Sequence, residues 1–360
     1  MTDIWSPLTL GTMHLPHRFA MAPMTRSRAM PDGTPGDLAA EYYAQRAGLG
    51  LLITEGTQPS DDGQGYTLTP GIYTDAHVVG WRRVADAVHA KGAHLFIQLM
   101  HVGRISHPDN TPHHRQALAP SAIVAGQAMF TMGGMKPMPE PREMTQADID
   151  DTITDFAFAA RRAVEAGADG VEIHGANGYL LHQFLAPSAN RRTDVWGGSI
   201  ENRARFTVAV AQAVAQAIGP ERTGIRLSPG APQGGIDEGA DAGELYRYLV
   251  AELDRLGLVY LHLVQRDDEA LLRDIRQIWS SALIVNRAGG SRERIGQDAA
   301  AGLADIEAFG AMVLANPDFI ERIRSDAALN LPDRATFFGG GAAGYTDYPR
   351  LDAARTAQAD

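Results

Sequence analysis

Residues 170–179 read GVEIHGANGY, an apolar run that passes into the polar side chains of His174, Asn177 and Tyr179. A short apolar run without polar alternation is typical of a parallel strand that is covered on both faces. The segments on either side of it repeat apolar residues at helical spacing. This stretch therefore predicts one strand-and-helix repeat, with polar groups at the carboxyl end of its strand.

Seven further apolar runs of similar length are spaced along the chain. They are residues 18–23 (RFAMAP), 50–54 (GLLIT), 94–99 (HLFIQL), 223–228 (TGIRLS), 259–264 (VYLHLV), 283–286 (LIVN) and 305–309 (DIEAF). Segments of helical periodicity separate the runs, namely residues 75–91, 147–166, 202–218, 242–256, 269–280 and 292–301. Eight strand-then-helix repeats predict an α/β fold, the closed (β/α)8 or TIM barrel. An open doubly wound sheet is the alternative, but it usually carries a glycine fingerprint where this chain has MTRSR after Pro23.

Two segments lie outside this repeat. Residues 5–15 hold two short apolar pieces around Gly11 and Thr12, which predict a hairpin that closes the barrel floor. Residues 100–144 are long and rich in Gly, Pro, Met and His, and they follow the third strand, which places them over the carboxyl mouth of the barrel. Because no linker-like stretch divides the chain, a single domain spanning residues 1–360 is predicted.

Composition narrows the class of protein. Of the 360 residues, 44% are hydrophobic and 21% are charged, which is typical of a packed globular protein. The net charge of −11 argues against nucleic acid or an anionic membrane as partner. The lack of cysteine excludes disulfides, iron–sulfur clusters and thiolate zinc sites. Because no signal-peptide pattern and no run of about 20 apolar residues is present, a cytoplasmic enzyme is expected.

The polar trio after the fourth strand suits chemistry at a substrate oxygen. Polar residues at the carboxyl end of a barrel strand face the active site. His174 and Asn177 can donate hydrogen bonds to one oxygen, and Tyr179 can donate a proton. This pattern favours a reaction that builds negative charge on a carbonyl or nitro oxygen. The alternative is that His174 only caps the strand and Tyr179 only packs as an aromatic.

Residues 171–206, VEIHGANGYLLHQFLAPSANRRTDVWGGSIENRARF, closely resemble the signature region of the Old Yellow Enzyme family of flavin ene-reductases. The resemblance extends over almost the whole chain, through residues 22–29 (APMTRSRA), 97–104 (IQLMHVGR), 225–228 (IRLS), 315–318 (ANPD) and 339–349 (GGGAAGYTDYP). Thr25 stands where another subgroup has cysteine, so the chain resembles the threonine-bearing subgroup. The resemblance implies FMN as the prosthetic group of a single barrel domain.

The resemblance also implies a set of contacts to the flavin ring. Arg226 would stabilise negative charge at the N1–C2=O edge, and Gln98 would bind the pyrimidine ring. Thr25 would donate its hydroxyl to the C4 oxygen, unless it serves as a helix N-cap. A structural ion pair is the alternative for Arg226, and a polar closure of the barrel top is the alternative for Gln98. The other positions implied near the flavin are Ala22, Pro23, Met24, Gly56 and His174.

The FMN phosphate is expected after strands seven and eight, where barrels often bind phosphate through backbone N–H groups. The positions concerned are Ala288, Gly289, Gly290, Phe309, Gly310 and Ala311. The family usually has arginine at the last of these positions, so one charged contact is missing at Ala311. Arg287 is a candidate to supply that charge. A simple turn is the alternative for Gly289 and Gly290.

Substrate contacts are implied for three residues besides the trio. Tyr66 follows the second strand and either flanks the substrate or packs in a loop. Met100 stands where some relatives have an aromatic residue, and it either widens the substrate pocket or fills the core. Phe338 stands where tyrosine is common, which removes a hydroxyl near the cofactor or substrate.

The implied function is an NAD(P)H-dependent flavin oxidoreductase that works in two half-reactions. NADPH or NADH would reduce FMN and leave, and an electrophilic α,β-unsaturated carbonyl or nitro compound would then bind in the same place. His174 and Asn177 would hold its oxygen while hydride reaches the β carbon and Tyr179 protonates the α carbon.

Four other functions compete with this interpretation. They are a nitroester or nitroaromatic reductase on the same site, a flavin-assisted isomerase, a non-catalytic barrel that binds a phosphoryl ligand, and a metal hydrolase. The last is disfavoured, and no metal site is expected, because the 12 histidines do not form a spaced ligand set with carboxylates. A monomer or homodimer is expected.

Overall fold

Eight parallel strands close into a barrel in the computed structural model, which describes residues 3–351 of the chain. In chain order, and numbered first to eighth below, the strands are Phe19–Met21, Leu51–Ile53, His94–Leu99, Gly170–Gly175, Thr223–Leu227, Tyr260–Val264, Ala282–Asn286 and Ile306–Phe309. Each strand pairs in parallel with its neighbours in sequence, and the eighth closes on the first through Glu307 opposite Phe19 and Phe309 opposite Met21. All eight predicted strands, and with them the TIM barrel, are confirmed.

Helices cover the outside of the barrel. The longer ones are Asp75–His89, Gln146–Glu165, Ile200–Ile218, Ala242–Asp254 and Glu269–Ile278, and the shorter ones are Ala39–Gln45, Leu180–Leu185, Gln297–Ala300, Ala311–Ala315 and Phe319–Arg324. Among residues 3–351, none of the helices combines the length and the apolarity needed to cross a bilayer.

Two helix predictions met different outcomes. The helix predicted over residues 147–166 is present as Gln146–Glu165, and a capping box begins it, since the Thr145 side chain accepts the Asp148 N–H and the Asp148 side chain accepts the Thr145 N–H. The single helix expected over residues 292–301 is instead a 3-10 turn, Arg292–Arg294, followed by the short helix Gln297–Ala300. Gly296 separates them with φ +84°, a left-handed conformation that cannot continue an α-helix.

A hairpin closes the amino end of the barrel, as predicted. Its strands Leu8–Leu10 and Met13–Leu15 pair in antiparallel fashion across Gly11, whose φ of +59° suits glycine. Side chains from the hairpin fill the lower barrel together with inward-facing strand residues, a cluster that includes Leu10, Met13, Leu15, Leu51, Phe96, Tyr260, Ile284 and Ile306. The floor is therefore apolar.

The upper half of the barrel interior is polar. Alternate residues of a strand face the same side. Gln98 therefore lies next to Phe96 on the side toward the carboxyl end of the barrel, and His262 lies next to Tyr260 in the same direction. The buried polar side chains of this layer are Gln98, Glu172, His174, Arg226, His262 and Asn286. Since buried polar groups require partners, a layer of this kind marks the end of the barrel that is built to bind a ligand.

The long segment after the third strand folds over the mouth, as predicted. It contains the paired strands Leu118–Ala119 and Arg142–Glu143 and a hairpin of Ala128–Thr131 with Gly134–Pro137. Its apolar residues form a cluster against which Tyr66 and Tyr179 pack, namely Met100, Val102, Ile105, Ala125, Met129 and Met138. The segment therefore shields the region around Tyr179 from water.

Candidate active site

The carboxyl end of the fourth strand presents the predicted trio. His174 lies in the strand, Asn177 in the following turn, and Tyr179 directly before the helix Leu180–Leu185. Asn177 has φ +55°, and its backbone N–H donates to Ser228 Oγ at 2.8 Å. The Asn177 side chain is partly exposed, and within residues 3–351 its amide makes no hydrogen bond. The turn thus holds a free amide donor beside His174.

His174 is held as a neutral hydrogen-bond donor. Its Nδ1 accepts the N–H of Ala176 at 3.2 Å, so the proton of the neutral ring resides on Nε2. Burial lowers the pKa of His174 well below its usual value, and the positive charge of Arg226 lowers it further. At neutral pH the ring therefore points an uncharged N–H toward the mouth.

Tyr179 is held protonated beside this donor. Burial raises its pKa well above 10, and the neighbouring Tyr66 raises it further. The two phenol oxygens lie 3.0 Å apart, and the Tyr179 ring meets the His174 ring edge-on at 4.9 Å. Tyr66, expected either at the substrate or in simple loop packing, therefore lies beside the predicted proton donor.

Sequence reasoning missed the residues that support this turn from below. His182 Nδ1 accepts the N–H of Gly178 at 2.9 Å, and its Nε2 donates to Glu238 at 2.6 Å. Tyr246 donates to the same carboxylate at 2.6 Å. Gly178 has φ +82°, and a Cβ there would lie 2.3 Å from the Gln233 carbonyl oxygen, so glycine is required. These residues lie on helices and a loop, where no strand-end rule applies.

Arg226 and Gln98 lie in the polar layer with hydrogen-bonding capacity to spare. Arg226 is buried and donates from Nη2 to Asn286 Oδ1 at 3.0 Å, while its Nε has no partner among the described residues. No carboxylate lies within 4.0 Å of its guanidinium in residues 3–351, so the alternative of a structural ion pair is not supported. Gln98 donates to Glu172 at 2.7 Å, which leaves its Oε1 free. A partnerless buried donor and a free amide oxygen fit the polar edge of a flavin pyrimidine ring.

Asn286 is another residue that sequence reasoning missed. It ends the seventh strand, accepts from Arg226, and donates to the Ala308 carbonyl at 2.8 Å. It thereby fixes the guanidinium in place. The rule that singled out His174, a polar side chain at the carboxyl end of a barrel strand, would have found it.

The turn after the first strand abuts the end of the eighth. The Ala22 N–H donates to the Phe309 carbonyl at 3.0 Å, and a Cβ on Gly310 would lie 3.5 Å from Met24 Sδ. Thr25 precedes no helix, because the first described helix begins at Ala39, so the N-cap alternative is not supported. Residues 22–25 therefore line the same rim as the loops after strands seven and eight.

Met100 and Gly56 lie against each other at the mouth. A Cβ on Gly56 would lie 2.4 Å from Met100 Sδ, so only glycine leaves room for this methionine. Met100 also belongs to the apolar cluster of the long segment. It therefore fills space under that segment and reaches the neighbourhood of Tyr66 and Tyr179.

The loops after strands seven and eight meet in a cleft. It is lined by Val285, Gly290, Ser291, Arg294, Phe309 and Met312, among others. Gly289 has φ +77°, and the N–H groups of Ala288 and Gly289 make no hydrogen bond in the part of the chain that the structure describes. Unpaired N–H groups of this kind suit an anion such as phosphate.

Arg287 lines this cleft, but its guanidinium is paired with two carboxylates. Its guanidinium donates to Asp298 at 2.6 and 2.7 Å and to Glu269 at 2.6 Å. Two carboxylates offset its charge and take up most of its donors, which does not favour Arg287 as the cation in place of Ala311. The partners lie on two separate helices, 18 residues before and 11 residues after Arg287, so no local pattern reveals the pairing.

Phe338 lies on the surface of the protein. Its side chain is 64% exposed, and the aromatic contact described for it is with Phe337. The adjacent Gly339 N–H donates to the Arg26 carbonyl, which ties this segment to the turn after the first strand. The side chain of Phe338 is therefore exposed beside the rim of the barrel, and its role as a substrate contact stays a prediction.

Glu55 ties the first two strands together and makes stability depend on pH. Its Oε2 accepts the N–H groups of Arg26 and Ser27 at 2.9 and 3.2 Å. Burial raises the pKa of its carboxyl from 4.5 to about 7, against the opposing effect of these N–H donors. Between these two pH values the folded protein binds a proton that the unfolded chain has lost, so the free energy of unfolding falls as pH rises.

Glu55→Gln is therefore expected to remove most of this pH dependence, at most about 3 kcal/mol between pH 4.5 and 7. Urea unfolding of both proteins at pH 5 and pH 8, with FMN in excess, measures the difference. An equal fall in both proteins would contradict the assignment to Glu55.

Comparisons with known proteins agree with this geometry. The sequence profile of the NADH:flavin oxidoreductase / NADH oxidase family matches residues 3–330. The chain belongs to this, the Old Yellow Enzyme family. It is an FMN-dependent ene-reductase that takes its electrons from a nicotinamide cofactor. The alternative of a non-catalytic barrel is thereby ruled out.

Curated relatives of this Old Yellow Enzyme family member span nearly its full length. 12-Oxophytodienoate reductase 1 of Oryza sativa subsp. japonica is 43% identical over 359 residues, which cover 96% of this chain and 93% of the relative. Chanoclavine-I aldehyde reductase of Penicillium roqueforti is 40% identical over 363 residues, which cover 97% of this chain and 96% of the relative.

Solved structures match as well. Morphinone reductase superposes with a TM-score of 0.93 at 44% identity, covering 98% of this chain and 97% of its own. The Old Yellow Enzyme homologue from Zymomonas mobilis gives a TM-score of 0.93 at 35% identity, over 97% and 100% of the chains. One morphinone reductase structure holds tetrahydroNAD, in keeping with a nicotinamide as reductant.

Proposed function

We propose that this enzyme reduces the activated C=C bond of α,β-unsaturated carbonyl or nitro compounds, with Tyr179 as proton donor. The observation that carries the proposal is the pairing of two free donors, His174 Nε2–H and the Asn177 amide, with a tyrosine held protonated beside them. FMN, when bound, supplies hydride transfer from the nicotinamide to the alkene.

The residues that would hold FMN lie around the barrel mouth. Arg226 and Gln98 would bind the pyrimidine edge, and Thr25 would donate to the C4 oxygen, which is the basis for assigning the chain to the threonine-bearing subgroup. The turn of Ala22, Pro23 and Met24 would line one side of the ring. Gly56, which packs against Met100, would lie near the ring as well. The phosphate would lie on the N–H groups near Ala288, Gly289, Gly290, Phe309, Gly310 and Ala311.

The substrate would then sit between the ring and the long segment. His174 and Asn177 would donate to its activating oxygen, which draws electrons from the double bond and stabilises the charge that develops. Tyr179 would protonate the α carbon, with Tyr66 and Met100 beside it in the same apolar cluster. Because one donor pair serves both the nicotinamide amide and the alkene oxygen, the two ligands would bind in turn, which predicts ping-pong kinetics.

An anaerobic two-stage titration tests this function. The purified protein is expected to be yellow and to be bleached by NADPH or NADH, each added alone. Adding 2-cyclohexenone should then restore the colour without oxygen, whereas cyclohexanone, the saturated control, should not. If bleaching required the alkene to be present together with the nicotinamide, the sequential use of one site would be refuted.

A further inference from the structure

Glu172 is a charged residue sealed inside the barrel, directly under the proposed flavin edge. Its side chain is fully buried on the fourth strand. One carboxylate oxygen accepts from Gln98 Nε2 at 2.7 Å, and the other accepts from His262 Nδ1 at 2.8 Å. None of the roles assigned above explains why a carboxylate should lie here, since burying a charge is costly.

Both carboxylate oxygens of Glu172 accept hydrogen bonds, which indicates that the group is ionised. Burial on its own raises the pKa of Glu172, but His262, Arg226 and Gln98 outweigh that effect, and the pKa lies below its usual value. His262, whose pKa is lowered by burial, is neutral and donates through Nδ1. The buried layer therefore contains one negative charge, on Glu172, and one positive charge, on Arg226.

These two charges act on the flavin in opposite directions. Reduction of a flavin adds electrons, so a nearby cation favours the reduced form and a nearby anion opposes it. The side chains of this layer are buried, so the effective dielectric constant is low enough for both charges to be felt. Glu172 would thus offset part of the field of Arg226.

We propose that Glu172 is a positioning and charge-setting residue that holds the reduction potential of bound FMN below the value that Arg226 alone would produce. Its second effect is on Gln98, whose amide group it orients by accepting from Nε2, so that Oε1 faces the ring. The inference rests on the placement of the flavin pyrimidine beside Gln98 and Arg226 under the proposed function.

Glu172→Gln separates charge from hydrogen bonding. A glutamine oxygen can still accept from Gln98, and its amide can donate to His262 if the imidazole proton moves to Nε2. That shift is open because His262 Nε2 is buried without a partner among residues 3–351. The variant therefore deletes the charge while both contacts can be kept.

The midpoint potential of bound FMN, measured by anaerobic reduction against reference dyes, tests the proposal. Glu172→Gln is expected to shift the potential in the positive direction, while Glu172→Asp, which keeps the charge, stays near the native value. Asp169→Asn, just before the same strand at the opposite end of the barrel, is the matched control and should not shift it. If Glu172→Gln fails to fold, Glu172→Ser, which is neutral and leaves room for water, should give the same positive shift.

A flavin-loaded Glu172→Gln protein with an unchanged or more negative potential would overturn the proposal. A colourless native protein would instead count against the proposed function, so the two failures can be told apart.

Discussion

Tyr179→Phe is expected to slow the reoxidation of the reduced enzyme by 2-cyclohexenone by about 10²- to 10³-fold, the usual contribution of a placed proton donor. The substitution removes one hydroxyl and keeps the ring that packs edge-on against His174. Because the pKa of Tyr179 lies well above 10, its proton is present throughout the neutral range and is available to the α carbon. Stopped-flow absorbance of the flavin measures the rate.

The other half-reaction provides the internal control. Transfer of hydride from the nicotinamide needs no proton from Tyr179, so bleaching by NADPH or NADH should stay nearly as fast as in the native enzyme. Tyr66→Phe is the matched variant, since it removes the 3.0 Å hydrogen bond but leaves the Tyr179 hydroxyl. Its effect should be much smaller. An equal loss in both half-reactions of Tyr179→Phe would show that Tyr179 is structural.

The same variant separates the two reductase functions. A nitroester or nitroaromatic reductase would use the oxygen donors but no proton from Tyr179. Tyr179→Phe should therefore keep activity toward such a compound even as alkene reduction is lost. Loss of both activities would refute that distinction.

His174→Ala is expected to lower alkene reduction by about 10²-fold, the typical effect of losing one donor to a developing oxyanion. Asn177→Ala should behave similarly, and the double variant should lose less than the product of the two effects, because both donors bind one oxygen. His174→Asn retains an N–H donor and should restore part of the rate. His89→Ala, at a partly exposed ion pair with Asp169, is the histidine control and should leave the rate unchanged.

The pH profile gives an independent check on His174. Burial and Arg226 keep its pKa well below 6.5, so the imidazole is neutral on both sides of neutrality. The rate of alkene reduction should therefore show no His174 titration between pH 6 and 8. A fall in rate on the alkaline side of that range, abolished by His174→Asn, would mean that the charged ring is the active form.

The barrel could be predicted because its signals are local. Each strand is a short, continuous apolar run, because both faces of a barrel strand are buried. Each helix repeats apolar residues at the helical period. The prediction failed at residues 292–301, where the apolar pattern continues but Gly296 adopts a left-handed conformation. Pattern alone does not report the backbone angle that packing imposes on a glycine.

The site could be predicted where side chains follow a strand end and not where they depend on distant partners. His174, Asn177 and Tyr179 lie within six residues of one another, and the structure keeps them together. Arg287 was a candidate to supply charge to the phosphate, and its pairing with Asp298 and Glu269 could not be predicted from the sequence. The support of the turn by His182 and its partners, and the pairing of Glu172 with Gln98, join residues too far apart in sequence to be inferred.

The barrel and the trio at the end of the fourth strand follow from the chain alone, because periodicity and residue type are properties of short segments. The protonation of the groups does not follow from it. The neutral Nε2–H of His174, the retained proton of Tyr179 and the charge on Glu172 arise from burial and from neighbours on other strands. Desolvation and hydrogen bonding act through space, so these properties exist only once the barrel has closed.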